Sequence, residues 1–170
     1  LEIGSGLAEN FHILHRLLPA VQLMGIEHDA TCVEAANKRL MEYGITRAVT
    51  QLADARSLGR FPDKSFDIVI SCASLLYIEG DDINMVLAEM LRLAKCAVVM
   101  LEQNIDCPEN PEGVKLPGVH ETPDYWIRDY NALLALLVPH ARIQSMLIPH
   151  PIWVTEKWGE CATLIVVEID

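Results

Sequence analysis

The hydrophobic positions change period several times along the chain. Leu1-Glu2-Ile3 reads as the end of a short strand, broken by Gly4-Ser5-Gly6. Residues 7–18 then place Phe11, Leu14, Leu17 and Leu18 on one side of a helix that Pro19 closes. Residues 21–27 predict a second strand. Asp29 or Thr31 caps the helix that follows, and Gly44 ends it. Residues 47–53 predict a third strand and 65–71 a fourth, the latter with the near-continuous apolar run of a strand buried on both faces. The sharpest helical pattern covers 82–94, where Ile83, Val86, Leu87, Met90, Leu91 and Ala94 follow i, i+3, i+4, i+7 spacing, and Asp81-Asp82 stands ready to cap it. Residues 97–102 predict a fifth strand. A loop over 104–123 carries four prolines, 124–138 return to helix with Tyr130, Leu133, Leu134 and Leu137 on one face, and 141–149 and 161–169 predict two final strands.

Strands alternating with helices imply an α/β fold: a doubly wound, mostly parallel seven-stranded sheet with helices on both faces. Only residues 150–160 join the last two strands, with Pro149 and Pro151 at the first bend and no helical pattern between. A pair without a crossover helix is expected to be antiparallel, so the sheet should end in an antiparallel C-terminal strand. At 170 residues the expectation is a single domain over 1–170.

Composition narrows the function classes. With 51% hydrophobic and 22% charged residues the chain can build a core and does not read as disordered. Thirteen Lys+Arg against 24 Asp+Glu give a net charge of −11, which disfavours a broad nucleic-acid face and an anionic membrane surface. No run approaches the roughly 20 apolar residues of a bilayer span, and no basic segment precedes an apolar one as in a secretory leader. Neither a nucleic acid nor a membrane is therefore expected as a partner. Five cysteines, at 32, 72, 96, 107 and 161, form no C-x-x-C pair. They read as reduced, packed side chains in a cytoplasmic compartment. His12 and His15 share a helix face, but spacing supplies no third ligand, so no metal is expected.

In doubly wound sheets ligands bind beyond the carboxyl ends of the strands, so the residues there carry the chemistry. Gly4 and Gly6 follow the first strand and let the backbone turn tightly and a ligand approach closely. A bare G-x-G also occurs in plain strand-to-helix turns. Glu27 ends the second strand about 20 residues further on, where a carboxylate accepts both hydroxyls of a ribose or simply faces solvent. Asp54, after the third strand, accepts from an adenine amino group or caps the turn that follows.

In this order the segments LEIGSGLAE, GIEHDATCVEAANKRL, ADARSLGRFPDKSFDIVISCASLLYIE, RIQSMLIPH and CATLIVVEID resemble the class I S-adenosylmethionine-dependent methyltransferases, a Rossmann-like family. The resemblance covers nearly the whole chain. Its motifs are an acid two residues before the first glycine (Glu2), G-x-G-x-G with Ala8 for the last glycine, an acid ending strand two (Glu27), an Asp after strand three (Asp54), and a strand opening Phe66-Asp67. It implies S-adenosylmethionine as cofactor and S-adenosylhomocysteine as product. Glu2 would engage the methionine ammonium, Gly4 and Gly6 would line the amino-acid part, and Glu27, with His28 beside it, would hold the ribose. Asp54 and the Ala55 amide would face adenine, while Ser71 and Cys72 would line the methionine or substrate side. It also implies helices ahead of Leu1, expected to be missing from these 170 residues.

The acceptor side should draw on the loop after strand four and the 104–123 loop, with Tyr77, Glu102, His120, Tyr125, Trp126, Arg128 and Tyr130 as candidates. Tyr77 reads equally as core or pocket wall. His120 is a general base or, by preference, a solvated loop residue. Arg128 clamps a carboxylate or phosphate or, by preference, sits on the surface of helix 124–138. Trp126, Trp153 and Trp158 close over a flat substrate or, more commonly, pack inside. Three functions compete: methyl transfer to a small-molecule acceptor, a catalytically silent cofactor-binding or partner subunit, and a nicotinamide-dependent oxidoreductase. Against the last, Glu9 stands where a dinucleotide fingerprint wants Gly or Ala.

Overall fold

A computed structural model describes residues 1–117, 123–149 and 161–169. They fall into two compact units, 1–60 and 61–170, taken in turn.

The first unit holds β1 (Glu2–Ile3), α1 (Glu9–Leu17), β2 (Leu23–Glu27), α2 (Ala30–Glu42) and β3 (Ala48–Leu52). Its three strands run parallel, with Glu2 opposite Gly25, Ile3 opposite Ile26, and Leu23 to Glu27 opposite Ala48 to Leu52. Phe11, Ala8, Ala36, Leu40 and Ile45 form the core between helices and sheet. Asp29 caps α2 as expected, accepting from the amides of Thr31 and Cys32. Asn37 completes β3 from α2: its amide group donates to the Thr50 carbonyl at 2.8 Å and its oxygen accepts from the Thr50 N–H at 3.0 Å. Gly25 is required by close approach, since a Cβ there would lie 2.3 Å from Ser5 Oγ.

The second unit holds β4 (Phe66–Cys72), a single 3-10 turn (Leu75–Tyr77), α3 (Asp82–Leu93), β5 (Ala94–Gln103), β6 (Val114–Leu116), β7 (Tyr125–Ile127), α4 (Tyr130–Leu137), β8 (Arg142–Leu147) and β9 (Ala162–Glu168). β5 is parallel to β4, and β9 lies antiparallel between β5 and β8. The antiparallel final pair is as expected from the missing crossover helix. α3 buries Ile83, Val86, Leu87 and Met90 of the stripe read from spacing, and Leu93 besides; Leu91 is only half-buried, and Ala94 already opens β5. Asp81 makes no side-chain capping bond there, contrary to the sequence expectation; Asp82 instead places its charge in the first turn.

The region 104–138 corrects the sequence reading. Part of the supposed loop is β6, which pairs antiparallel with β7. Residues expected at the start of a helix, Tyr125, Trp126 and Ile127, are that second strand, and the helix begins only at Tyr130. Three-residue strands are too short to display an alternation, and the aromatic and β-branched side chains favour the strand. Asp129 makes the boundary, its carboxylate accepting from the Ala132 amide at 2.9 Å and the Cys107 amide at 2.8 Å. Gly113 allows the hairpin to close: its φ is +84°, and a Cβ would fall 1.9 Å from the Ile127 carbonyl oxygen.

Candidate functional site

In the first unit the carboxyl ends of β1 and β2 meet in one hydrogen-bonded group. Gly4 and Gly6 both adopt positive φ, 68° and 49°, so the chain leaves β1 in a tight turn. The amides of Gly4 and Ser5 donate to the Ile26 carbonyl at 2.9 and 3.0 Å. The Gly6 amide donates to Glu27 Oε2 at 3.0 Å. Glu27 Oε1 accepts from the amides of His28 and Asp29 at 2.8 and 3.0 Å, and His28 Nδ1 lies 2.7 Å away. Glu27 is thus buried and fixed. Since a carboxylate offers about four lone-pair sites, Oε2 with its single amide keeps room for another donor. A Cβ on Gly6 would meet nothing within 4 Å, so the turn faces open space. Ala8, in place of a third glycine, takes the left-handed conformation with φ 59° and leads into α1.

Glu2 is 2% exposed on β1. Asn10 of α1 donates to its Oε1 at 2.7 Å, and its Oε2 has no partner. Burial pushes this carboxyl up to about 7, against the lowering effect of the Asn10 bond. A buried, half-satisfied carboxylate beside a glycine turn is suited to a cationic donor.

Asp54 follows β3, which is tied to β2 by the Ala53 amide on the Glu27 carbonyl at 2.9 Å. Its carboxylate is engaged by Arg56 through the backbone amide at 2.8 Å, Nε at 2.9 Å and Nη2 at 2.6 Å. The Arg56 side chain holds its pKa down at about 2. The turn-capping role considered for Asp54 is therefore present. The Ala55 amide donates to no group among the described residues.

The second unit carries the remaining candidates. Ser71, near the end of β4, is buried, and its hydroxyl lies near the Glu102 carboxyl without a hydrogen bond of regular geometry; Cys72 next to it is half-buried. Glu102, on β5, is fully buried, and its Oε1 accepts from the amides of Ser74 and Leu75, both at 3.2 Å. Burial pushes its carboxyl up to about 7, opposed by those two amides and the nearby Ser71 hydroxyl. Arg128 corrects the sequence preference: it is neither exposed nor on a helix, but 0% exposed between β7 and α4. Its Nη1 donates to the Leu75 carbonyl at 3.1 Å and its Nη2 to the Ile78 carbonyl, while its guanidinium lies 4.9 Å from the Trp126 ring centroid. Spent on backbone carbonyls, it is not presented as a surface clamp. Tyr130 is buried, and burial followed by the charge of Glu102 raises its phenol well above the usual value. Tyr77 is 47% exposed, whereas Leu75 and Leu76 beside it are buried. Tyr125 and Trp126 are half-buried on β7, and Trp126 Nε1 donates to Glu79 at 3.3 Å. His120, Trp153 and Trp158 lie outside the described residues.

Sequence reasoning missed Asn10, Arg56 and the clasp that Glu102 and Arg128 make on one turn. Arg56 had a usable signal, an Asp-x-Arg spacing that lets both backbone and side chain reach one carboxylate. Asn10 had none, because it meets Glu2 only after α1 packs. His12 packs its ring against Tyr43, centroids 4.8 Å apart.

Comparison with known proteins follows this geometry. A family profile described as a methyltransferase domain matches residues 1–96. No curated protein matches the chain. Among solved structures, a SAM-dependent methyltransferase of Methanosarcina mazei is similar at TM-score 0.71 and 15% identity, covering 99% of this chain and 90% of the other. The 4+2 cyclase SpnF is similar at TM-score 0.75 and 18% identity, over 99% and 74%. A protein of Pyrococcus horikoshii OT3 is similar at TM-score 0.74 and 16% identity, over 99% and 80%. These likenesses show the fold, a mostly parallel seven-stranded sheet with one antiparallel strand and flanking helices.

Proposed function

The chain belongs to the methyltransferase-domain family, and from that premise we propose that it transfers a methyl group from S-adenosylmethionine to a small-molecule acceptor. The observation that carries the reading is the buried Glu2, with one unpartnered oxygen, at the foot of a double-glycine turn whose second amide is held by Glu27. These groups fit the cofactor by type. Glu2 Oε2 takes the ammonium, the open face of Gly6 admits the amino-acid chain, and the spare lone pair of Glu27 Oε2 takes a ribose hydroxyl, with His28 alongside. The free Ala55 amide donates to an adenine ring nitrogen. Asp54 accepts the adenine amino group once Arg56 yields. Ser71 and Cys72 line the methionine or substrate side. When bound, the cofactor supplies an already activated methyl group. The protein's part is to orient an acceptor lone pair and, where needed, take its proton.

A second reading, a silent cofactor-binding or partner subunit, is supported by one observation. Of the acceptor candidates among the described residues, Glu102, Arg128 and Tyr130 are buried, leaving Tyr77 as the most exposed. Similarity to the 4+2 cyclase SpnF adds that this fold can carry another chemistry. Among the described residues no helix is long and apolar enough to cross a membrane. We place the domain in the cytoplasm on the sequence reading of its five cysteines as reduced. The test is a small-molecule screen that detects S-adenosylhomocysteine formation, run beside Glu27→Ala. Turnover in wild type and none in the variant supports methyl transfer. Cofactor binding without turnover on any acceptor moves the assignment to the silent subunit.

A further inference from the structure

Three buried polar atoms without a regular hydrogen bond, Ser71 Oγ, Arg128 Nε and Tyr130 OH, lie around the Glu102 carboxyl, whose own Oε2 is likewise unpartnered. Buried polar groups are normally satisfied, and a partly satisfied network in a low dielectric is costly. The same residues hold one short piece of backbone. Glu102 accepts from the amides of Ser74 and Leu75, and Arg128 donates to the carbonyls of Leu75 and Ile78. Within the turn, the Tyr77 N–H donates to the Ser74 carbonyl at 3.2 Å and the Ile78 N–H to the Leu75 carbonyl at 3.1 Å. Side chains from residues about 30 and 50 positions later therefore add four long-range bonds to the backbone of 74–78.

We infer that Glu102 and Arg128 are positioning residues for the acceptor side: they set the backbone of 74–78, the turn that displays Tyr77 beyond the carboxyl end of β4, and the protonation of Glu102 governs how firmly it is held. The inference rests on the proposed function in taking this end of β4 as the acceptor side. An ionised carboxylate makes charge-assisted bonds to the two amides, roughly twice as strong as those of a neutral acid. Burial brings the Glu102 transition to about 7, within the working range of most proteins. The groups that face it are the Ser71 hydroxyl from β4, Arg128 from the segment joining β7 to α4, and Tyr130 at the start of α4. Glu79, past the turn, feels the same Arg128 charge. On β9 its register partner is Thr163, which does not titrate.

The experiment is amide hydrogen exchange in the full chain, read at Ser74 and Leu75 from about pH 5.5 to about pH 8.5, corrected for intrinsic exchange and referenced to Val69 and Ile70. Protection in wild type should rise about tenfold with pH, with a midpoint near 7. In Glu102→Gln, which keeps an acceptor oxygen but cannot ionise, it should be flat. Ser71→Ala, a second variant that does not depend on replacing the buried carboxyl, should move the midpoint upward. Flat protection in wild type, a pH step retained in Glu102→Gln, or an unmoved midpoint in Ser71→Ala overturns the inference. None of these readouts uses the cofactor. Wild type that shows the step but binds no S-adenosylhomocysteine defeats the proposed function alone, and binding with flat amides defeats only this inference.

Discussion

Acidification from about pH 8 to about pH 6 perturbs one group on which cofactor affinity should depend. Glu2 is 2% exposed, and its carboxyl sits at about 7 because burial outweighs the Asn10 hydrogen bond. If its unpartnered Oε2 receives the ligand ammonium, only the ionised form binds. The apparent Kd then scales as one plus the ratio of protonated to ionised Glu2, making binding about tenfold weaker at pH 6 than at pH 8. Calorimetry in two buffers of different ionisation enthalpy should find about one proton released per S-adenosylhomocysteine at pH 6 and close to none at pH 8. Glu2→Gln should bind about 10- to 100-fold more weakly, the worth of one charged hydrogen bond, with no pH dependence. 5′-Methylthioadenosine, which lacks the amino-acid part, should bind equally at both values. The free protein carries the same signature with a definite sign. A carboxyl raised from 4.5 to about 7 makes the folded state bind more protons than the unfolded between those values, so stability falls as pH rises through that window. The full effect is about 3 kcal/mol from this group, and Glu2→Gln should remove it from the urea midpoint above about pH 8. Wild type that binds with equal affinity and no proton release at both pH values would refute the reasoning.

Other predictions follow from single contacts. Glu27→Ala removes the acceptor for the amides of Gly6, His28 and Asp29 and should weaken S-adenosylhomocysteine binding by about a hundredfold or more in calorimetry. Arg56→Ala releases the Asp54 carboxylate and should tighten that binding about two- to fivefold, since a partly exposed pair is worth up to about 1 kcal/mol; weaker binding would place Arg56 on the ligand instead. Gly25→Ala drives a Cβ to within 2.5 Å of Ser5 Cβ and should cost about 1–3 kcal/mol by urea denaturation; an unchanged midpoint would contradict the close packing of the glycine turn on β2.

The parts of this fold that sequence reveals are those where one period runs long enough to repeat. α3 shows its buried stripe at Ile83, Val86, Leu87 and Met90, and β4 shows its apolar run, so both elements are readable, but β4 is not buried on both faces as that run suggests, since Asp67 and Ile68 are exposed. The positions of Gly4, Gly6, Glu27 and Asp54 are legible as well, because each stands at or just after a strand end that the pattern locates. What stayed hidden depends on contacts distant in sequence. Arg128 reads as a surface residue of a helix until the three-residue strands β6 and β7 pair and carry it inside. Glu102 looks like the polar end of a strand, and only packing shows that it receives two amides from a turn 27 and 28 residues earlier. Asn10 and Arg56 alter the electrostatics of Glu2 and Asp54 through side-chain geometry that no periodicity encodes.

Calorimetric titration of the wild-type chain at about pH 8 with S-adenosylhomocysteine, S-adenosylmethionine and NADH tests the central claim most directly. The account predicts binding of both adenosyl ligands with Kd on the order of micromolar, about −8 kcal/mol, and none of NADH. Failure of both adenosyl ligands to bind, or NADH binding in the same range, would contradict it.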